Sequence, residues 1–267
     1  MQLNIVHTSR YKFDQPSNYG LQQLRTTPKN HNGQTVRNWS LEVEGGRIET
    51  EFKDQHANEV TLVSFAQDAQ EITITCKGQV VTEDTNGVIG KQRGFVPLWL
   101  FSGSTELTRA TANVRRLAKG LRDDHDNDIS LLHALSARIQ DAVSYQVGQT
   151  DAATTADAAI EKGAGVCQDH SHIFLAAARD LGFPARYVSG YLMMNDSVEQ
   201  DATHAWAEAH VDGIGWVGFD ISNGISPDSR YVRVATGLDY SEAAPIAGLR
   251  FGAGSEQLAV DVRVAQQ

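Results

Sequence analysis

One cysteine, Cys167, occupies a position where its thiol can act as a nucleophile. Cys167 follows two glycines, Gly163 and Gly165, and opens an apolar segment that runs to Gly182. Apolar residues recur in this segment at helical spacing, so we predict that Cys167 begins a helix. The N–H groups and the dipole of a helix N-terminus favour an anionic sulfur, which is the nucleophilic form. A buried structural thiol and a metal ligand are the alternatives.

A histidine and a carboxylate follow at positions that suit a thiol enzyme. A thiol nucleophile needs a partner that takes and returns a proton near neutral pH, and histidine does so. Among nine histidines, His204 enters a predicted strand after the cysteine helix, and Asp220 ends the second strand of the same predicted hairpin. We therefore predict that Cys167 is the nucleophile, His204 its base and Asp220 the group that orients the imidazole.

The register of this hairpin decides whether the base and the carboxylate can meet. With a two-residue loop at residues 213–214, His204 and Asp220 would fall on opposite faces, because strand side chains alternate. A loop of three or five residues, or one bulge, would bring both to one face, with Asp220 opposite Trp206 and diagonal to His204. We predict such an irregularity.

Three residues beside the nucleophile and the base line the candidate site. Gln168 and Asp169 directly follow the nucleophile, and we expect Asp169 to cap the helix or to pair with a base such as Arg186. Trp206 shares a strand face with the base, where it either shields the ion pair from water or fills the core. His170 and His172 lie about 200° apart on a helix, so they cannot face one metal ion. We predict no metal and no cofactor.

The elements that must position these residues change period along the chain. From Leu3 to about Val81, apolar residues alternate with polar ones, which is typical of antiparallel strands in a β-sandwich. Cys76 falls on the apolar side of its strand and is interpreted as a core residue. The spacing then becomes helical, with a first helix predicted from Ser104 to Gly120. Helices near residues 128–145 and 155–162 lead to the cysteine helix, and strands follow.

Composition excludes several classes of partner. The chain has 267 residues, 41% of them apolar, and a formal net charge of −10. Because no basic stripe is present, we expect no nucleic-acid partner. No apolar run is long enough to cross a bilayer and the first residues are polar, so we expect no membrane partner and a cytoplasmic location. The oligomeric state is left open.

Several segments resemble a known family. GVCQDH, PARYVSGYL, HAWAE and GWVGFD look like the core of bacterial transglutaminase-like proteins, which share the papain-like thiol fold. LQQLRTTPKNHNGQTVRNWSLEV looks like the β-domain that precedes this core, and ATGLDYSEAAPIAG resembles its C-terminal segment. The resemblance implies an α+β protein with an N-terminal antiparallel β-sandwich over residues 1–100. A papain-like core of helices packed on an antiparallel sheet is expected over residues 101–267.

The resemblance also implies a reaction. In it, Cys167 attacks a carboxamide, His204 shuttles the proton and Asp220 holds the imidazole. We expect the thioester to pass to water, as in a peptidase or amidase that acts on a peptide or protein amide. The alternatives are a protein-glutamine gamma-glutamyltransferase, which uses an amine acceptor, and a catalytically silent binding module. For the oxyanion, we predict the Cys167 backbone N–H as one donor and Tyr145 as the second, with packing the alternative role of Tyr145.

Overall fold

Strands occupy both ends of the chain, and most helices lie between them. The computed structural model describes residues 1–17, 19–92, 95–194, 197–251 and 254–266. The strands are β1 (Gln2–Ser17), β2 (Tyr19–Thr27), β3 (Gln34–Glu44), β4 (Gly46–Lys53), β5 (Glu59–Phe65), β6 (Ala69–Thr82), β7 (Val88–Gly90), β8 (Ser144–Tyr145), β9 (Ala164–Gly165), β10 (Ala185–Leu192), β11 (Glu199–Gln200), β12 (His204–Val211), β13 (Gly215–Phe219), β14 (Tyr231–Gly237), β15 (Ile246–Phe251) and β16 (Glu256–Gln266). The helices are α1 (Ala112–Ala118), α2 (Leu121–Asp124), α3 (Asp128–Ala142), α4 (Ala156–Lys162), α5 (Cys167–Asp180) and α6 (Tyr240–Ala243), with a 3-10 helix at Leu98–Ser102.

Two antiparallel sheets pack face to face in the N-terminal sandwich. One has the strand order β11-β16-β1-β6-β3 and the other β15-β2-β5-β4. Alternate side chains of β1, β3 and β6 meet those of β2 and β5 in one apolar core, because every second residue of a strand points to the same face. Cys76 is 1% exposed in this core. The predicted N-terminal β-sandwich is confirmed, with Cys76 buried inside it.

The end of the chain returns to the sandwich. β16 pairs with β1 from Leu3 opposite Gln266 to Phe13 opposite Glu256, and β15 pairs with β2. A division of the chain at residue 100 assigns both of these late strands to the core, whereas their hydrogen-bonding partners are N-terminal. The boundary at residue 100 stays a prediction.

The central sheet has helices on one face and the sandwich on the other. Its order is β14-β10-β12-β13-β7, and its pairs are antiparallel. On one face, alternate residues of β12 such as Ala207 pack against Phe174 of α5 in the largest apolar cluster. On the other, Tyr191 and Val232 pack against Leu3 of β1. The predicted α+β class, with helices packed on an antiparallel sheet, is confirmed.

The first predicted helix is shorter than expected. Instead of running from Ser104, α1 begins after Thr111, whose hydroxyl accepts the N–H of Val114. Residues 104–108 form a turn in which the hydroxyls of Thr105 and Thr108 lie 2.8 Å apart. Such hydroxyls offer the backbone local partners and so compete with a helix. Among the described residues, no helix combines the length and apolarity needed to cross a bilayer.

Candidate active site

Cys167 is the first residue of α5, as the sequence predicts, and is partly exposed. The loop before it passes so close to Asp169 that a Cβ on Gly165 would lie 2.7 Å from the Cβ of Asp169. Oδ2 of Asp169 accepts the N–H of Val166 at 2.8 Å and the hydroxyl of Thr150 at 2.7 Å. The aspartate therefore caps the helix and fixes the approach to the sulfur, which explains the glycine.

Asp169 does not pair with Arg186, the other role that the sequence left open. Arg186 lies in β10 and binds Glu208 of β12, with Nε 2.6 Å from Oε2. Glu208 stands directly opposite Arg186 in the antiparallel register. Cross-strand pairing thus supplies the arginine with a nearer carboxylate than the helix cap does.

The β12–β13 hairpin contains the predicted irregularity. Val211 pairs with Gly215, so the loop has three residues, 212–214, and Ala207 pairs with Phe219. Continued by one residue, this register places Asp220 opposite Trp206 and diagonal to His204. The odd loop length brings the histidine and the carboxylate to one face, and the prediction is confirmed.

His204 lies between a carboxylate and the candidate nucleophile. Its Nε2 is 2.6 Å from Oδ2 of Asp220, and its side chain is 12% exposed. Burial alone would lower the pKa of His204, but the imidazole donates a hydrogen bond to Asp220 and lies near Cys167, and these interactions, together with the charges of both groups, raise this pKa to about 10. The imidazole therefore holds a second proton at neutral pH, next to the sulfur.

Asp220 is the most heavily bonded group of the site. Its Oδ2 also accepts Nδ2 of Asn223 at 2.6 Å and the hydroxyl of Tyr231 at 2.7 Å. Burial opposes ionisation, yet the hydrogen bond and charge of His204, followed by Tyr231 and Asn223, lower the pKa of Asp220. Neither of these donors was predicted from the sequence. The spacing of Asn223 from Asp220 could have suggested an Asx-type turn, whereas Tyr231 carries no local signal.

Trp206 covers the imidazole. It is 2% exposed, and its ring lies 6.2 Å from that of His204 at an interplanar angle of 28°. Its other neighbours include Tyr231, in an edge-on contact at 5.5 Å, and Val188 in a small apolar cluster. Trp206 therefore fills the core and shields the His204–Asp220 pair at the same time.

Tyr145 lies beside the loop that leads to the nucleophile. It belongs to β8, which pairs in parallel with β9 and sets Tyr145 next to Gly165. The residue is 54% exposed. Partial burial, followed by the charges of Cys167 and Asp220, raises the pKa of Tyr145. The ring therefore lies within electrostatic reach of the site, and its role as second oxyanion donor stays a prediction.

The remaining polar neighbours turn away from the sulfur. Nε2 of Gln168 points to the carbonyls of residues 151 and 152, at 3.5 and 3.4 Å. His170 contacts Ser222 and the Val143 carbonyl, whereas His172 accepts the N–H of Tyr240. The two histidines thus bind different parts of the protein. In the described residues no three His, Cys, Asp or Glu side chains are grouped to hold a metal ion.

The sequence matches two family models and several known proteins. Residues 115–221 match the model of the transglutaminase-like superfamily, and residues 3–81 match that of the bacterial transglutaminase-like N-terminal region. An uncharacterized protein of Mycobacterium leprae is 27% identical over 278 aligned residues, which span 99% of both chains. An uncharacterized protein of Mycobacterium tuberculosis is 33% identical over 146 residues, or 51% of this chain and 46% of that protein.

A solved structure shares the fold over the whole chain. It is the protein named "Putative Cysteine Protease" from Cytophaga hutchinsonii, with a TM-score of 0.79 and 23% sequence identity. The alignment covers 100% of this chain and 91% of that one. At this identity the likeness establishes the common fold, while the chemistry rests on the residues of the site.

Proposed function

This chain belongs to the transglutaminase-like superfamily, and we propose that it is a thiol enzyme that hydrolyses a peptide or carboxamide bond through a cysteine thioester. One observation carries the proposal: His204 is held by Asp220 at 2.6 Å, on the face where Cys167 is near enough to raise the pKa of the imidazole. A thiolate attacks carbonyl carbon far faster than a thiol, and a neighbouring imidazole is the group that can take the proton from the thiol and return it.

Acylation uses the thiolate and the imidazolium together. The sulfur of Cys167 forms a bond to the carbonyl carbon, and the carbonyl electron pair moves to the oxygen. When the pair returns, the C–N bond breaks, and His204 gives its proton to the departing nitrogen, which leaves as an amine or ammonia. The N–H of Cys167 and the hydroxyl of Tyr145 are our proposed donors to the oxyanion.

Deacylation regenerates the thiolate and the imidazolium. His204, now neutral, takes a proton from water as the water oxygen attacks the thioester carbon. The C–S bond then breaks, a carboxylic acid leaves, and the sulfur keeps the bonding electrons. Water is always available as acceptor, whereas transfer to an amine needs a groove that shields the thioester from water. Hydrolysis is therefore our first proposal. Transfer to an amine is the alternative, and an experiment must distinguish the two.

Alkylation with iodoacetamide tests the nucleophile. Cys76 is the internal control, because it is 1% exposed and burial raises its pKa to about 11. We expect Cys167 to be alkylated much faster than Cys76 at pH 6–7, as followed by mass spectrometry of peptides. Equally slow labelling of both cysteines in the folded protein would favour a catalytically silent binding module.

A second assay separates the two acceptors. The protein is incubated with a glutamine peptide and a fluorescent primary amine, and the products are resolved by mass spectrometry. Hydrolysis predicts release of ammonia or peptide cleavage without incorporation of the amine. If the amine is incorporated and Cys167→Ala abolishes the incorporation, the activity is that of a protein-glutamine gamma-glutamyltransferase instead of a hydrolase.

We also propose a cytoplasmic location. Both cysteines are free thiols, which is typical of proteins in a reducing compartment.

A further inference from the structure

A cavity lies between the sandwich and the central sheet. It measures about 630 Å³, within the size range of small-molecule sites. The loop between β2 and β3 forms one wall, and side chains of β10, β13 and β14 form the opposite one. Among the described residues that line it, none belongs to the Cys167 site. Trp206 separates the two places, because it lies between His204 and Glu208 along β12.

Two arginines in the wall share one carboxylate. Nε of Arg186 lies 2.6 Å from Oε2 of Glu208, and Nε of Arg233 lies 2.7 Å from Oε1. Glu208 is fully buried, at 0% exposure. Two guanidinium groups against one carboxylate leave a formal charge of +1 that this group does not neutralise. Burial of such a charge is costly unless a further anion approaches.

Three lysines also line the cavity, and they differ in how much positive charge they add. Lys53 is paired with Glu59 at 3.0 Å, but Lys29 and Lys91 also line the cavity. Burial, followed by the charge of Arg233, lowers the pKa of Lys29 to about 7. The ammonium group of Lys29 is thus disfavoured by the same positive charge that would attract an anion.

Two histidines of the cavity have ring nitrogens without a partner among the described residues. Nε2 of His56 lies 2.7 Å from a carboxylate oxygen of Glu242, while its Nδ1 is buried and unpartnered. The His56 side chain is 1% exposed. In His31, Nδ1 donates to the Asn32 carbonyl at 2.7 Å and Nε2 is the unpartnered atom.

The protonation state of His31 determines whether its unpartnered Nε2 requires a hydrogen-bond donor or an acceptor. Burial, and then the charge of Arg233, lowers the pKa of His31 to about 4, so the ring is neutral at pH 7. Because Nδ1 carries the proton, Nε2 presents a lone pair. Buried polar atoms normally have a partner, and a lone pair requires a donor such as a hydroxyl or an amine.

We propose that this cavity binds a small organic anion that combines a carboxylate or phosphate group with hydroxyl or amine donors. The anionic oxygens are received by Arg186, Arg233 and Lys91, and a hydroxyl or amine of the ligand donates to Nε2 of His31. The arginine fork suits both carboxylate and phosphate oxygens, so the two sources share one recognition chemistry. This site is independent of the thioester reaction proposed above.

Isothermal titration calorimetry of the full chain at low salt tests the proposal with three matched probes. Glycerol 3-phosphate and glycerate carry the two anionic groups on similar hydroxyl-bearing carbons, and glycerol carries neither. We expect one-to-one binding of at least one anion and at least tenfold weaker binding of glycerol. The anion that binds more tightly shows whether the cavity prefers a phosphate or a carboxylate group. Failure of both anions to bind the folded protein would overturn the proposal.

Variants locate the binding site. We expect Lys91→Gln to weaken binding of the anion by roughly threefold to fivefold, and His31→Ala to weaken it by about tenfold. His31→Ala should leave the affinity for inorganic phosphate nearly unchanged, because that ion lacks the separate donor group. Lys77→Gln, at a half-exposed lysine of β6, is the control and should bind as the wild type does. Thermal unfolding of each variant checks the fold.

The inactive variant Cys167→Ala separates this proposal from the proposed reaction. It should bind the anion with wild-type affinity even though it lacks the nucleophile. Loss of binding in Cys167→Ala, or binding that Lys91→Gln and His31→Ala both leave unchanged, would place the anion elsewhere and refute the cavity site. Absence of hydrolytic activity in the wild type would leave this binding test unaffected.

Discussion

Oδ2 of Asp220 lies 2.6 Å from Nε2 of His204, and the same oxygen accepts hydrogen bonds from two other side chains. Three donors around one buried oxygen leave the carboxylate little freedom to rotate. Because Asp220 engages Nε2, Nδ1 is the ring nitrogen that is left for Cys167 in the proposed reaction. The two residues are 16 positions apart, and the odd-length hairpin loop between them creates this geometry.

Replacement of Asp220 by asparagine removes the charge but keeps the size of the side chain. We expect Asp220→Asn to reduce kcat roughly a thousandfold or more, because an amide does not stabilise the imidazolium. The pKa of His204 should fall from about 10, since its hydrogen bond to the carboxylate is what chiefly raises it. NMR titration of the His204 ring measures this shift. An unchanged ring titration would show that another group holds the proton.

The same pKa predicts how stability depends on pH. The pKa of His204 rises from 6.5 to about 10 on folding, so the folded chain keeps a proton that the unfolded chain loses. This contribution to the free energy of unfolding is complete below pH 6.5 and is lost as pH rises towards 10. Denaturant unfolding between pH 6 and 10 should show a steeper decline in the wild type than in His204→Gln. Parallel profiles would contradict the assignment.

Tyr231 is predicted to act through Asp220 rather than on substrate. Tyr231→Phe keeps the ring that packs on Trp206 but removes the hydroxyl that donates to Asp220 at 2.7 Å. We expect the pKa of Asp220 to rise and kcat to fall roughly tenfold, with little change in KM. Tyr19→Phe, at a residue that is 49% exposed, is the control. A change confined to KM would point instead to substrate contact.

Asp169 and Asp180 form a matched pair at opposite ends of α5. Asp169 caps the N-terminus and accepts two hydrogen bonds, whereas Asp180 lies at the C-terminus in a partly exposed ion pair with Arg115. We expect Asp169→Ala to lower the free energy of unfolding by about 1–2 kcal/mol. Asp180→Ala should change it by less than about 0.5 kcal/mol, because a carboxylate opposes the dipole there. Equal effects in urea unfolding would refute the capping role.

Glu208 neutralises part of the charge of two buried arginines. Glu208→Gln should lower the free energy of unfolding by about 3–5 kcal/mol at pH 7, since it leaves Arg186 and Arg233 without a counter-charge. Burial opposes ionisation, but the charges of these arginines lower the pKa of Glu208 to about 2. Its contribution is present above pH 4.5 and is lost as pH falls towards 2. Urea unfolding at several pH values should therefore show a weaker acid dependence in Glu208→Gln.

A surface ion pair provides the control for Glu208→Gln. Glu42 pairs with Lys77 on the sandwich, and both side chains are more than half exposed. Because solvent screens such a pair, Glu42→Gln should stay within about 0.5 kcal/mol of the wild type. A comparable loss in both variants would show that net charge, rather than the buried network, governs the stability.

Local pattern was sufficient to predict the elements of the site. The glycines before Cys167, the helical spacing after it and the alternation around His204 are short-range signals, since side-chain period follows backbone geometry. The alternation of strand side chains also predicted that the β12–β13 hairpin needs a loop of odd length or a bulge if Asp220 is to face His204, and the loop has three residues. The first helix was predicted too long, because threonine hydroxyls near residue 108 compete with helical hydrogen bonds.

Only the tertiary structure decided which distant groups complete the site. Tyr231 reaches Asp220 from another strand, and β16 joins β1 across almost the whole chain. No periodicity in the sequence predicts either contact, because long-range pairing depends on how separate elements pack rather than on residue spacing. Sequence thus determined the type and order of the candidate catalytic groups, whereas packing determined their hydrogen-bond partners and, through burial and charge, the pKa values of His204 and Asp220.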